Sequence, residues 1–492
     1  CIRLATYLDD ERLTHLGAGI GGRSRVRAPC SPLAHLAHME YPTRVETNDG
    51  KTAERRRMVL QNSVVEVLTY GATQALRLGS NLILTRLLFP EAFGLMVVVG
   101  IVLFGLTMLS DVGILQAVIQ NPRGDDEDFL NTAWTLQIMR GGLLCVLTWC
   151  IAYPASLFFD KPELFGLLLA AGGQLVIAGF ESTSLFTLRR QVASRKLAVI
   201  EIGVQFATFV AVVATAMVWQ SVWALLIGAS IGGLVRLIWS HLIDVGYRNR
   251  LEWDKSAWQE ITKFGRWNFG SSVATFLSSQ SDRLILGRLL GMSSLGVYSV
   301  ALMLSEAIGA AVSRVVSGVL YPVFSRVSHE EPEMLRDEYY AARLRLDAAA
   351  LPALGALTML GDFIVILFWD PRYVEAGWML RVLAIRAAFG CIMLPCEVCL
   401  VATGESRFGF IRSVVRMFTV LIGVPLGYAW GGAEGLVLAV ALSEFPAAFI
   451  LWPAAARRGL FKITREIRAF VFFGLGVMLA SYIRYLATGE WI

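Results

Sequence analysis

The chain has 492 residues, of which 55% are hydrophobic and only 17% charged, with a mean hydropathy of +0.58 and a formal net charge of +5. Soluble domains carry roughly 25% charged residues, and a nucleic-acid binder gathers its basic excess on one soluble face. Here the cations lie largely in loops between long apolar stretches, which excludes both classes. It also excludes a transmembrane β-barrel, whose strands are alternating segments of about ten residues. The stretches are instead close to the ~20 residues that a helix needs to cross about 30 Å of hydrocarbon.

Residues 1–57 are polar and rich in Arg, Gly and Pro, without the continuous apolar core of a signal peptide. They open on Cys1 and are expected to be a disordered start-site extension, with Met39 or Met58 as the true initiator. Spans are then expected at 64–87, 93–117, 131–153, 164–186, 197–218, 222–242, 266–288, 293–322, 346–368, 376–401, 407–430, 434–456 and 467–487. Turn chemistry separates them at Phe89-Pro90-Glu91, Asn121-Pro122-Arg123-Gly124, Asp160-Lys161-Pro162-Glu163 and Trp369-Asp370-Pro371-Arg372. Of the seven cysteines, Cys391, Cys396 and Cys399 form a C-x4-C-x2-C run with no histidine or further cysteine pair nearby to complete a metal site. Buried, inert thiols are expected, with no metal and no cofactor.

Lysine and arginine set the orientation. Loops after the even-numbered spans carry Arg189, Arg190, Arg195 and Lys196, then Arg248, Arg250, Lys255 and Lys263, then Arg326, Arg336, Arg343 and Arg345, then Arg407 and Arg412, and finally Arg457, Arg458, Lys462, Arg465 and Arg468. The alternate loops hold Arg86, Lys161, Arg288 and Arg372. This asymmetry places the N-terminus and the basic loops in the cytoplasm. The opposite loops are only a few residues long, which leaves little room for an external catalytic domain.

An internal repeat divides the chain. Ile83-Leu84-Thr85-Arg86-Leu87-Leu88, with Gly94 beyond it, recurs 202 residues later as Ile285-Leu286-Gly287-Arg288-Leu289-Leu290, with Gly296 beyond it. The offset carries span 1 onto span 7, and six spans per unit is an even number. Both units therefore enter the membrane in the same sense, as parallel repeats with a cavity between them. The expected architecture is an all-α polytopic membrane protein of about thirteen helices. An N-terminal lobe (58–242) is joined by an amphipathic cytoplasmic linker (243–265) to a C-terminal lobe (266–456), and 457–492 supply a basic loop and an extra helix. Trp253, Trp258 and Trp267 mark the stretch from Arg248 to Trp267 as an interfacial tether.

Ionisable groups at membrane depth are costly unless they face water or a partner, and this chain has many. Arg77, Arg140, Arg283, Arg314, Arg386 and Arg416 fall inside spans, as do Asp282, Glu306 and Glu444. Planar guanidinium groups bind phosphate oxygens bidentately and stay charged at any physiological pH, so the six arginines are candidate ligands for an anionic head group. Pairing with carboxylates of neighbouring helices is the alternative for each. Asp282, Glu306 and Glu444 are candidate coupling carboxylates for H+ or Na+, or else helix–helix hydrogen-bonding groups. Asp282 and Arg283 are adjacent on a helix and point about 100° apart, so they cannot pair with each other.

The run Leu84-Thr85-Arg86-Leu87-Leu88-Phe89-Pro90-Glu91-Ala92-Phe93-Gly94, then Ser110-Asp111-Val112-Gly113-Ile114 and Ala117-Val118-Ile119-Gln120, resembles the opening of Wzx-type polysaccharide flippases of the multidrug/oligosaccharidyl-lipid/polysaccharide (MOP) superfamily. Ser281-Asp282-Arg283-Leu284-Ile285-Leu286-Gly287-Arg288, Leu295-Gly296-Val297-Tyr298 and Leu320-Tyr321-Pro322-Val323-Phe324-Ser325-Arg326 extend the resemblance through the second half. It implies translocation of an undecaprenyl-pyrophosphate-linked oligosaccharide across a bacterial inner membrane by alternating access, without catalysis. Membrane lipid surrounds the transporter, and polysaccharide polymerase and export proteins are its implied partners. In such flippases cationic cavity residues hold the pyrophosphate, a role carried here onto Arg77, Arg140 and Arg283. The competing reading is a multidrug or metabolite cation antiporter of the same superfamily, which calls for a carboxylate-dominated cavity.

Overall fold

The computed structural model describes residues 49–111, 113–243, 246–265 and 269–488, with side chains described among them except at 49–64, 263–265, 269, 271, 487 and 488. The expectations for residues 1–48, Met39 among them, and for Trp267 lie outside the described residues.

The order of helices is α1 (Asp49–Leu87), α2 (Pro90–Leu109), α3 (Ile114–Gln120), α4 (Glu127–Phe158), α5 (Glu163–Gly179), α6 (Ser184–Arg190), α7 (Ser194–Val218), α8 (Val222–Leu242), α9 (Lys255–Gly265), α10 (Phe269–Val315), α11 (Tyr321–Glu330), α12 (Leu335–Phe368), α13 (Ala376–Ala402), α14 (Arg407–Leu442), α15 (Phe445–Arg457) and α16 (Ile463–Thr488). A single π-helical turn, Val316–Leu320, joins α10 to α11. Among the described residues nine helical segments are long and apolar enough to cross a membrane, and α5 and α6, bent by 60°, together make a tenth. Two of the nine, Ser272–Glu330 of 59 residues and Arg407–Arg457 of 51, are far longer than one crossing requires.

Each of these two folds back on itself at a glycine break. Gly291 has φ 85, a left-handed conformation that side-chain-bearing residues adopt rarely, and beyond it Leu295 returns against Gly287. The break at Gly431 and Gly432 likewise brings Gly435 back against Gly427. With both hairpins counted twice and the bent pair once, twelve crossings appear among the described residues, and α1, which holds the first span read from the sequence, precedes them in the same order.

Three differences concern helix ends. α1 begins at Asp49, some fifteen residues before the apolar stretch, because Lys51-Thr52-Ala53-Glu54-Arg55-Arg56-Arg57 is built mostly of good helix formers. The second predicted span breaks at Ser110 and resumes as α3, with Asp111 accepting the backbone N–H of Gly113 at 2.9 Å. The fourth breaks after Gly179. There Gln137 of α4 donates its amide to the carbonyls of Ala178, Gly179 and Glu181, supplying a donor where the helical ladder is interrupted in an apolar setting.

The repeat is visible in the packing. Where α2 crosses the second arm of α10, a Cβ added to Gly94 would strike the carbonyl of Met292, and one added to Gly296 would strike the carbonyl of Pro90. Gly94 and Gly296 are 202 residues apart, and so are Pro90 and Met292. Each half therefore offers the other the same contact, the reciprocity of a two-fold axis. Large side chains at either glycine would separate the two backbones.

Beside this crossing the end of α12 is fastened to the end of α1. Trp369 Nε1 donates to Asn81 Oδ1 at 3.2 Å, and the Tyr373 hydroxyl donates to the Leu88 carbonyl at 3.4 Å. The Arg372 guanidinium reaches the carbonyls of Thr85 and Arg86 at 3.3 and 3.1 Å. At the opposite end, residues 247–265 do not hang free as a tether. Tyr247 bonds Thr183 and Thr187, Asn249 bonds Ser182 and Thr183, and Glu252 accepts from Asn131. Ala257 and Ile261 of α9 bury against Ile114, Val118, Phe129 and Leu130. The stretch is a strap bound to the N-terminal half, with Trp253 and Trp258 exposed and 6.0 Å apart.

Candidate functional site

The charges inside the bundle gather chiefly in the C-terminal half. Asp282 and Arg283 stand on the first arm of α10 and Glu306 on its second arm. Arg386 and Glu397 come from α13, Arg412 and Arg416 from α14, and Glu444 from the break between α14 and α15. Arg412 and Arg416 are four residues apart, so both project from one face of α14, and both reach Glu444, at 3.0 and 2.9 Å. Arg412 also pairs with Glu397. Arg386 lies 2.8 Å from Glu306 and 3.7 Å from Asp282. Arg283 approaches the other oxygen of Glu306 at 3.4 Å and donates to Gln280 at 3.0 Å. The adjacent Asp282 and Arg283 diverge as helical geometry requires, and the buried Asp282 accepts from the Tyr298 hydroxyl at 2.7 Å.

Four arginines are thus matched by four carboxylates in a network of two groups, Arg283 and Arg386 with Asp282 and Glu306, and Arg412 and Arg416 with Glu397 and Glu444. It borders a cavity of about 380 Å³ lined by Glu306, Arg386, Arg412, Arg416, Glu444 and Cys391. Burial strengthens every one of these attractions, so removal of one partner would leave another charge uncompensated. Glu306 is the most exposed member, 42% against 12% for Arg386 and 4% for Glu444.

The other arginines singled out in the sequence stand elsewhere. Arg140 lines a second cavity of about 500 Å³ in the N-terminal half, together with Asp111, Gln137 and Glu181. It donates to the Thr107 carbonyl and, at 3.0 Å, to the Ser110 hydroxyl, closing the broken end of α2. Arg314 lines a third, of about 370 Å³, with Glu66, Arg189 and Glu201, its guanidinium 4.3 Å from the Tyr70 ring. Arg77 is exposed on α1. Among the described residues neither Arg77, Arg140 nor Arg314 has a carboxylate at ion-pair distance. The six arginines are therefore distributed over separate places, and one cavity unites Arg386 and Arg416, with Arg283 behind them.

Two residues of the network are not among the candidate site residues read from the sequence: Arg412, and Glu397, which that reading places inside a span without a role. Arg412 counts there as a loop cation, yet α14 begins at Arg407 and Arg412 is only 14% exposed. Its spacing of four from Arg416 was the available signal. Arg343, also counted as a loop cation, is 1% exposed inside α12, because that helix begins at Leu335 and α16 covers it. Cys391, Cys396 and Cys399 are buried as free thiols.

A bundle of apolar helices with paired charges in its interior and two halves related by a repeat is that of a multi-pass membrane transporter. A profile of polysaccharide biosynthesis proteins matches residues 83–377, and the chain belongs to that family. It is 22% identical to the lipopolysaccharide biosynthesis protein WzxC of Escherichia coli over 74% of this chain and 73% of that one. It is 25% identical to the succinoglycan biosynthesis transport protein ExoT of Rhizobium meliloti, over 69% and 67%. Its fold matches that of the lipid II flippase MurJ in an inward closed conformation with a TM-score of 0.64, at 12% identity, over 88% of this chain and all of the other.

Proposed function

We propose that the chain is a flippase that carries a polyprenyl-pyrophosphate-linked oligosaccharide from the cytoplasmic to the outer leaflet of a bacterial inner membrane, for polysaccharide assembly. The observation that carries this reading is the arginine cluster around the C-terminal cavity, in a chain of the polysaccharide biosynthesis family. Two guanidinium groups approaching one carboxylate from either side is an arrangement suited to a diphosphate. The residues 58–242 and 266–456 act as the two lobes, the basic loops face the cytoplasm, and the lobes rock about the crossing of α2 with α10. The polyprenyl tail stays in lipid while the head group crosses, so transport needs no bond chemistry. H+ or Na+ supplies the coupling ion, and a polymerase downstream consumes the product.

The test uses purified protein in proteoliposomes carrying a fluorescent polyprenyl-pyrophosphate oligosaccharide in one leaflet. Movement to the other leaflet should depend on the protein and fall on the order of tenfold in Arg283→Ala, the effect of losing one charge-assisted hydrogen bond. Glu306 keeps Arg386 in that variant, so the network retains its charge pairing. Absence of movement, with uptake of a cationic dye against a proton gradient instead, would favour the antiporter reading.

A further inference from the structure

The C-terminal cavity poses a problem for any anionic substrate: each of its arginines already holds a carboxylate. An incoming pyrophosphate has to displace one, and the four carboxylates are unequally held. Glu444 is clasped by two arginines and is 4% exposed. Asp282 is 6% exposed and bound by the Tyr298 hydroxyl as well as by Arg386. Glu397 pairs with Arg412 and is 20% exposed. Glu306 is 42% exposed, lines the cavity and is held by arginine contacts alone among the described residues.

The two arginines that hold Glu306 are each anchored a second time. Arg283 Nη1 donates to Gln280 Oε1 at 3.0 Å, and Arg386 Nη1 faces Asp282 Oδ2 at 3.7 Å. Only their Nη2 atoms point at Glu306, one to each carboxylate oxygen. If Glu306 swung away, both guanidinium groups would keep their second anchors and present a ready fork of N–H donors. Arg283 Nε, buried and without a partner among the described residues, adds a further donor beside the fork.

We infer that the Glu306 carboxylate occupies the pyrophosphate subsite of the empty transporter, standing in for one phosphate group on Arg283 and Arg386. This rests on the flippase reading above and assigns within it the groups that receive the head group. Substrate entry exchanges one anion for another on the same two arginines, so no bare cation pair is left at membrane depth at any stage. The return of Glu306 to the fork then competes the pyrophosphate off on the far side. The carboxylate therefore weakens binding and speeds release.

Binding of a fluorescent polyprenyl pyrophosphate to the purified full-length protein decides the matter, measured for wild type, Glu306→Ala and the near-isosteric Glu306→Gln. Both variants should bind more tightly, on the order of fivefold or more, the factor set free when a part-exposed ion pair no longer competes. They should also translocate more slowly, because release loses its competitor. Unchanged or weaker binding in both variants, with wild type still binding, overturns the stand-in role and leaves the flippase reading intact. If wild type neither binds nor moves the probe, the flippase reading falls and this inference with it.

Discussion

Arg343 shows how much a single buried cation can organise. It is 1% exposed and pairs with Asp347, four residues on, at 3.3 Å, with Glu466 of α16, and with the Tyr339 hydroxyl at 2.9 Å. A buried pair adds little net stability over a well-packed apolar group, but breaking one by removing a single partner costs about 3–5 kcal/mol. In Arg343→Met two buried carboxylates would lose their cation, so the thermal unfolding midpoint of the detergent-solubilised protein should drop clearly. The triple variant Arg343→Met, Asp347→Leu, Glu466→Leu should recover most of that loss, since both carboxylates then leave together with the cation that held them. A single variant as stable as wild type would show that water reaches this site. The same reasoning separates the arginines of the cavity from Arg140. Those of the cavity answer to carboxylates, whereas Arg140 caps a broken helix end through a carbonyl and a hydroxyl.

At the scale of elements, the strap formed by residues 247–265 is held through Arg123, which contacts Asp254 at 3.1 Å, Glu260 at 3.4 Å and the Ser256 hydroxyl at 2.9 Å. Hydrogen bonds from Ser256, and after them Arg123, pull the Asp254 carboxyl down from 3.8 to about 2. A lowered value means that ionised Asp254 favours the docked strap at every pH above 3.8 and loses that contribution only as pH falls through about 2. Amide exchange in residues 250–260 should therefore be equally slow at pH 7 and pH 5 once corrected for intrinsic rates. Arg123→Ala should raise it by no more than several-fold at both, since solvent-screened pairs are individually weak. Equal protection in the variant would mean that the small apolar core under α9 holds the strap by itself.

This strap also marks the limit of what the sequence revealed. Spans, their number and the repeat follow from length and apolar content, since lipid demands self-satisfied helices. The breaks at Ser110 and Gly179 escaped, because each depends on a distant side chain, Arg140 or Gln137, that satisfies the broken end. The docking of Tyr247–Ile261 escaped for the same reason: it is made of hydrogen bonds to Asn131, Thr183 and Thr187 rather than of any local pattern. Within the cavity, residue type and membrane depth sufficed to single out Arg283, Arg386, Arg416, Glu306 and Glu444. Their pairing, and the membership of Arg412 and Glu397, needed the third dimension.

For the whole molecule, the contacts between the end of α12 and the end of α1 act as a latch on the outer side in the orientation proposed above. A helix leaves its last four carbonyls without partners, and a cation there is favourable. Arg372 satisfies two such carbonyls of α1 from the other half of the chain, while Asp370 holds its guanidinium at 2.7 Å. Opening this end would trade those bonds for water, so the latch stabilises closure modestly, by about 0.5–1.5 kcal/mol for its hydrogen bonds. That range corresponds to a shift of roughly two- to tenfold in the ratio of closed to open forms. Spin labels at the exposed Glu163 and Val374, one in each half, would report it after replacement of the native cysteines. In Arg372→Ala the distance distribution should gain a longer component, and a substrate analogue that favours the closed form should suppress it. An unchanged distribution would place the closure instead in the reciprocal crossing of Gly94 and Gly296, where the two backbones meet and no side chain can be removed to loosen them.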